Sequence, residues 1–220
     1  MQANTLDHVA FWVTDRHAIA GFAERHLGMH AIVTEEAFTL LGSDARRGKL
    51  TLFDAEGPRE PGAFEHVGLR VNDLAAARAA LPDGTPEIFE IGDGIKVTLV
   101  EAATDVDYDL DHVALRSPDP VATAHEYVRY GFEPAGDARV EVGGAFVDLY
   151  EGAAPASERP LLNHIAVLVD SADEVIGDAA DLAIEVESVV DAANTYAAFL
   201  VGPDRVRIEY VEHKPEFSLT

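Results

Sequence analysis

At 220 residues with 48% apolar content, the chain can form two small domains or one large one, and no stretch approaches the roughly 20 uninterrupted apolar residues that span a bilayer. Forty acidic residues against sixteen basic ones give a formal net charge of −24, which excludes nucleic-acid phosphate as a partner and resembles the solvated acidic coat of halophile proteins. Without cysteine there is no disulfide, no thiolate ligand and no cysteine nucleophile, so a metal must sit among imidazole and oxygen donors.

The opening MQANTLDHVAF lacks the basic region and apolar stretch of a secretory signal, and a cytoplasmic location is expected. The first strand reads Leu6-Asp7-His8-Val9-Ala10-Phe11, followed by a Thr14-Asp15 turn suited to a helix N-cap and by Gly28 as a left-handed helix end. Lys49–Phe53 alternates as a strand. The pattern then restarts with Phe64-Glu65-His66-Val67-Gly68-Leu69, an Asn72-Asp73 turn and the late strand Lys96–Val100. A third copy begins Leu110-Asp111-His112-Val113-Ala114-Leu115 and continues through Pro118-Asp119. Its helix carries Val121, Ala124 and Val128 at helical spacing, ends at Gly131, and leads to the strand Ala145–Tyr150. The fourth opens Leu162-Asn163-His164-Ile165-Ala166-Val167, turns at Asp170-Ser171 and closes with Val206–Val211. A period of about fifty residues marks duplicated supersecondary units. Module boundaries are expected near Pro58–Gly62, Thr104–Asp109 and Ala153–Pro160.

Four modules of strand, helix, then two or three strands, each opened by a histidine, resemble the vicinal oxygen chelate superfamily. Its members include glyoxalase I, extradiol dioxygenases, methylmalonyl-CoA epimerase and the bleomycin and fosfomycin resistance proteins. The resemblance covers essentially the whole chain. It implies an α+β fold of four βαβββ modules paired into two cupped-sheet domains, laid out as in the two-domain catechol 2,3-dioxygenases. Residues 1–105 would form an N-terminal domain from modules one and two. Residues 106–220 would form a C-terminal domain from modules three and four, carrying the metal.

Side chains alternate along a strand, so His112 shares a face with Ala114 and Arg116, and His164 with Ala166. Pairing of modules three and four would bring His112 and His164 together. Glu209, in Gly202-Pro203-Asp204-Arg205-Val206-Arg207-Ile208-Glu209, resembles the carboxylate ligand of the family's D-P-x-G-x-x-x-E motif. Gly202 replaces the motif's Asp, and Arg205 or Val206 stands where its glycine would be. His112, His164 and Glu209 would thus hold a divalent metal, Fe(II) by resemblance, with Mn, Zn, Ni or Co also compatible with these donors. His8 and His66 have Thr51 and Thr98 at the positions matching Glu209, so the N-terminal half is expected to be metal-free. Asp148 in module three is either a fourth ligand or a solvated strand residue.

His213, on the face of Glu209, and Arg116, on the face of His112, are the candidate catalytic groups, for proton transfer and for holding a substrate anion. Against these stand an exposed tail histidine and a surface salt bridge. Tyr150 lines the cup or packs. Phe199 occupies the place where the ring-cleaving relatives carry a tyrosine, and their two accessory histidines have no counterpart. The expected function is therefore a metal-dependent enzyme acting on a small molecule with adjacent oxygens, of extradiol dioxygenase type. A glyoxalase- or epimerase-like isomerase or lyase, and a non-catalytic small-molecule-binding protein, are the alternatives. The expected partner is a small-molecule substrate, with no membrane or nucleic acid and a possible homo-oligomer.

Overall fold

Each histidine-bearing segment is a strand that leads into a capped helix. In the computed structural model, which describes residues 1–152 and 157–220, module one comprises β1 (Thr5–Val13), α1 (Arg16–His26), β2 (His30–Thr34), β3 (Phe38–Gly42) and β4 (Lys49–Asp54). Module two is shorter, with β5 (Phe64–Val71), α2 (Leu74–Ala79), β6 (Ile88–Gly92) and β7 (Ile95–Glu101). Module three runs β8 (Asp109–Ser117), α3 (Pro120–Val128), β9 (Glu133–Gly136), β10 (Arg139–Val142) and β11 (Ala145–Glu151). Module four runs β12 (Leu162–Leu168), α4 (Ala172–Asp181), β13 (Val186–Asp191), β14 (Thr195–Val201) and β15 (Arg207–His213). Three modules are βαβββ; the second has one strand fewer after its helix. The boundary expected at Ala153–Pro160 lies partly outside the described residues.

The helix starts follow from the turn chemistry. Asp15, Asp73, Asp119 and Ser171 each accept a backbone N–H of the following first turn, satisfying a donor that has no partner within the helix. Gly28 and Gly131 adopt left-handed φ just past α1 and α3, as a helix end requires. Among the described residues no helix is long and apolar enough to cross a membrane.

The sheets correct the expected division at residues 105 and 106. One sheet has eight strands in the order β13-β14-β15-β12-β1-β4-β3-β2, joining modules one and four. The other has seven, β6-β7-β5-β8-β11-β10-β9, joining modules two and three. Within each module the first strand lies parallel to the last, and between modules the two first strands pair antiparallel, β1 with β12 and β5 with β8. The antiparallel register sets each histidine across from the small residue two positions beyond its partner's histidine: His8 faces Ala166 and Ala10 faces His164, while His66 faces Ala114 and Gly68 faces His112. The His-x-small pattern is self-complementary. Both rings of a pair gain room to meet, and because all four modules carry it, the pattern does not say which two will pair.

Alternation divides the labour of the two faces. Val9, Phe11 and Val13 of β1, with Ile165 and Val167 of β12, join the main buried cluster together with Val67, Leu69, Val113 and Leu115 of the other sheet. Phe11 meets Phe64 edge-on at 4.9 Å between ring centres, tying one sheet to the other. The opposite face of the eight-stranded sheet holds His8, His164 and Glu209 beside a small separate cluster of Ala166, Ala197, Phe199 and Val211.

Candidate metal centre

His8 on β1, His164 on β12 and Glu209 on β15 converge at one point. His8 Nε2 lies 3.0 Å from His164 Nε2 and 3.1 Å from Glu209 Oε2, and His164 Nε2 lies 2.8 Å from the same oxygen. The Nδ1 side of each ring is already used. Asp7 Oδ1 accepts from His8 Nδ1 at 2.7 Å, and Asn163 Oδ1 accepts from His164 Nδ1 at 2.9 Å. With Nδ1 donating, each neutral ring turns an Nε2 lone pair towards the carboxylate. Three acceptors aimed at one spot repel unless a cation sits among them.

The spacing fits a metal. With bonds of about 2.1 Å, ligands at right angles stand about 3.0 Å apart, whereas tetrahedral ligands stand about 3.4 Å apart. The observed separations would suit His8, His164 and Glu209 as neighbouring ligands of one divalent cation. The register gives a fourth position: Thr51 pairs with Ala10 as Glu209 pairs with Ala166, and its buried Oγ1 has no hydrogen-bond partner.

Of the three ligands expected from the sequence, His164 and Glu209 meet and His112 does not. His112 lies in the other sheet against His66, Nε2 to Nε2 at 3.1 Å, and its place is taken by His8. The cause is the module pairing, since the antiparallel partner of β12 is β1 and that of β8 is β5. Asp148 occupies the position in module three that Glu209 occupies in module four, opposite Ala114. It is buried, not solvated, and both its oxygens are taken by Arg139, its cross-strand partner on β10. Glu209 has Phe199 at the equivalent cross-strand position, so its carboxylate is left to the imidazoles. One cross-strand residue separates a cup that can take a cation from one that already contains it.

The two catalytic candidates also move. Arg116 belongs to the seven-stranded sheet and is bound through Nε to Glu65 Oε2 at 2.6 Å, so it takes no part at the triad. His213 is at the triad's sheet, but its Nε2 points to Asp7 Oδ2 at 3.0 Å, off the line of a good hydrogen bond, and its ring stacks on Phe217. Its ring is thus placed against Asp7 and Phe217, not at the meeting point of His8, His164 and Glu209. Tyr150 is exposed and faces His66, not the triad. Lys49, overlooked in the sequence, is buried and donates to Asp7 Oδ2 at 2.9 Å and to the Ala45 carbonyl at 2.9 Å. Its rarity was the available signal, since the chain has two other lysines.

Residues 5–107 match the sequence profile of the Glyoxalase/Bleomycin resistance protein/Dioxygenase superfamily. A candidate dioxygenase from Bacillus subtilis subsp. subtilis str. 168 superposes with a TM-score of 0.78 at 17% identity, over 98% of this chain and 87% of that one. Residues 5–107 thus carry that superfamily's sequence pattern, and the chain as a whole shares the fold of that structure. Glyoxalase I from Zea mays superposes on this chain with a TM-score of 0.70 at 16% identity, covering 94% of this chain and 92% of its own. The cppA protein of Streptococcus pneumoniae TIGR4 gives 0.64 at 13% identity, covering 96% and 98%. A comparison with curated protein sequences finds no match.

Electrostatics at the His8, His164 and Glu209 cluster mirror the geometry. Burial disfavours a charged His8, yet the Glu209 and Asp7 carboxylates outweigh it and raise His8 to about 9. Burial also opposes ionised Glu209, but His8 and His164 hold its carboxyl well below the usual range. Burial pushes His164 down, leaving it neutral beside a cationic neighbour. Without metal, then, a proton on His8 supplies the missing cation. A folded value above the ordinary 6.5 stabilises fully below pH 6.5 and is lost as pH rises through about 9. Denaturant titration of the metal-free protein should show a loss on the order of 3 kcal/mol across that window, while saturating metal should flatten the profile. A metal-free curve that stays level would contradict the His8–Glu209 pairing.

The approach to β15 is strained. Asp204 and Arg205 both take left-handed φ, +50° and +60°, which costs non-glycine residues on the order of 1 kcal/mol or more each. Of Arg205 and Val206, the two candidates for the motif's glycine position, Arg205 has the left-handed backbone that glycine adopts without strain. The turn is held by Gly202 N–H to the Val206 carbonyl at 2.9 Å and by Thr123 Oγ1 to Asp204 Oδ2 at 3.1 Å.

Proposed function

We propose that this chain is a metal-dependent enzyme acting on a small molecule with adjacent oxygens, with extradiol-type cleavage of a catechol as its reaction. The observation that carries the proposal is the convergence of His8 Nε2, His164 Nε2 and Glu209 Oε2 within 3.1 Å of one another. Two imidazoles and one carboxylate on one face suit Fe(II), and Mn, Zn, Ni or Co accept the same donors. When bound, such an ion supplies Lewis-acid stabilisation of a substrate oxygen and a template for the reactants.

The chain's own residues do the rest. Asp7 and Asn163 hold the two rings in the tautomer that leaves Nε2 open, and Lys49 keeps Asp7 ionised and in place. Phe53 and Phe199 flank His164, at ring-centre distances of 6.3 and 5.2 Å, and give the site an apolar wall that excludes water. Phe199 also supports a second reading, a glyoxalase-type isomerase, because it puts no phenol at the site where the ring-cleaving relatives have one.

Oxygen uptake separates the two. Fe(II)-loaded protein and a catechol should consume one O2 per catechol, with both oxygen atoms entering a coloured ring-opened product. Turnover of an enolisable 2-hydroxy carbonyl substrate without oxygen uptake would support the isomerase. Metal loading with neither reaction would defeat the enzymatic reading and leave a binding protein.

A further inference from the structure

A cavity of about 550 Å3 opens where β1 ends and β12 and β15 begin, on the three strands that carry the triad. That volume is ample for a single-ring substrate. Trp12, Leu162, Asn163, Arg205 and Arg207 line it. It shares walls with the metal centre: Asn163 holds the His164 ring, and Arg207 lies two residues before Glu209 on the same face of β15. The cavity therefore adjoins residues that touch or flank the triad on β12 and β15.

Two arginines, Arg205 and Arg207, line the cavity in a chain with forty acidic residues and sixteen basic ones, and two acids line it with them. The two acids lining the cavity are engaged, Glu187 with Arg207 Nε and Asp204 with Thr123. Arg207 Cζ lies over the Phe199 ring at 4.3 Å, and its outer nitrogens make only long contacts, 3.3 Å to Asn163 Oδ1 and 3.4 Å to Ser188 Oγ. Arg59 stacks over Trp12 at 5.1 Å, with a buried Nε that has no hydrogen-bond partner. Arg205 occupies a left-handed backbone position that glycine would take without strain, and its side chain lines the cavity. Strain kept beside a reactive centre points to a use for the side chain.

Building on the enzymatic reading above, we propose that Arg205 and Arg207 bind a carboxylate on the substrate while its adjacent oxygens face His8, His164 and Glu209. The substrate class is then an aromatic vicinal diol bearing an acid group. The guanidinium forks match a carboxylate, and the rings of Trp12 and Phe199 offer stacking surfaces to the aromatic body.

The test compares 3,4-dihydroxybenzoate with unsubstituted catechol by calorimetric titration of the Fe(II)-loaded protein without oxygen. The acid is expected to bind at least about tenfold more tightly. Arg205→Gly relieves the left-handed backbone, so its melting temperature should hold or rise, while the preference shrinks to within about threefold. Arg205→Lys should retain part of it. Equal binding of both ligands to the wild type, or a preference untouched by Arg205→Gly, overturns the carboxylate site while leaving the metal-dependent reading intact. Failure of both diols to bind the metal-loaded protein overturns both readings.

Discussion

Glu209→Ala should leave the protein without bound metal, falling from one ion per chain to a small fraction of that by elemental analysis of protein loaded and then desalted. Glu209 is the negatively charged member of a set whose other two members are neutral imidazoles when a metal is bound. Removing it takes away both a donor atom and the charge that offsets a divalent cation in a buried site. Loss of an outer-sphere partner already costs roughly 10–100-fold in metal affinity, and loss of this inner ligand should exceed about a thousandfold. The fold should survive. His8 is charged in the metal-free protein because of Glu209 first, and without that carboxylate burial returns the ring to its neutral form. No buried cation is stranded above neutral pH. A Glu209→Ala protein that retains a full complement of metal would mean that the ion sits elsewhere.

Much of the architecture was legible because local rules act on local text. The four strand openings, the four Asp or Ser caps and the glycine ends of α1 and α3 each follow from a few adjacent residues, and each is found where those residues stand. Glu209 and His164 were legible through strand parity and the closing motif. Partner choice was not. Ala10, Gly68, Ala114 and Ala166 make every histidine strand a suitable mate for every other, so the first-strand text allows any pairing. What distinguishes the two cups lies on other strands: Arg139 across from Asp148, and Phe199 across from Glu209. Cross-strand neighbours of this kind are separated by a hairpin whose register a single sequence does not declare. Lys49 was missed for a similar reason. Its role depends on burial beside Asp7, a contact across 42 residues of chain.

The module pairing makes a second large prediction, opposite in sign to the expectation from the sequence. His8→Ala should lose the metal as Glu209→Ala does, since it removes one of three converging donors. His112→Ala should keep it. His112 spends its Nδ1 on Asp111 and its Nε2 on His66, in a sheet whose only equivalent carboxylate among the described residues, Asp148, is neutralised by Arg139. The cost of His112→Ala is instead structural. Its ring fills the space left by Gly68, where an added Cβ would come within 2.2 Å of His112 Cε1, and truncation would leave a void between two small cross-strand residues. Large-to-small changes at buried sites of this kind cost about 2–4 kcal/mol. Denaturant midpoints should therefore fall for His112→Ala at unchanged metal content, and metal content should fall for His8→Ala. The reverse result, with His112→Ala emptied and His8→Ala still loaded, would require β12 to pair with β8, because only that exchange brings His112 to His164.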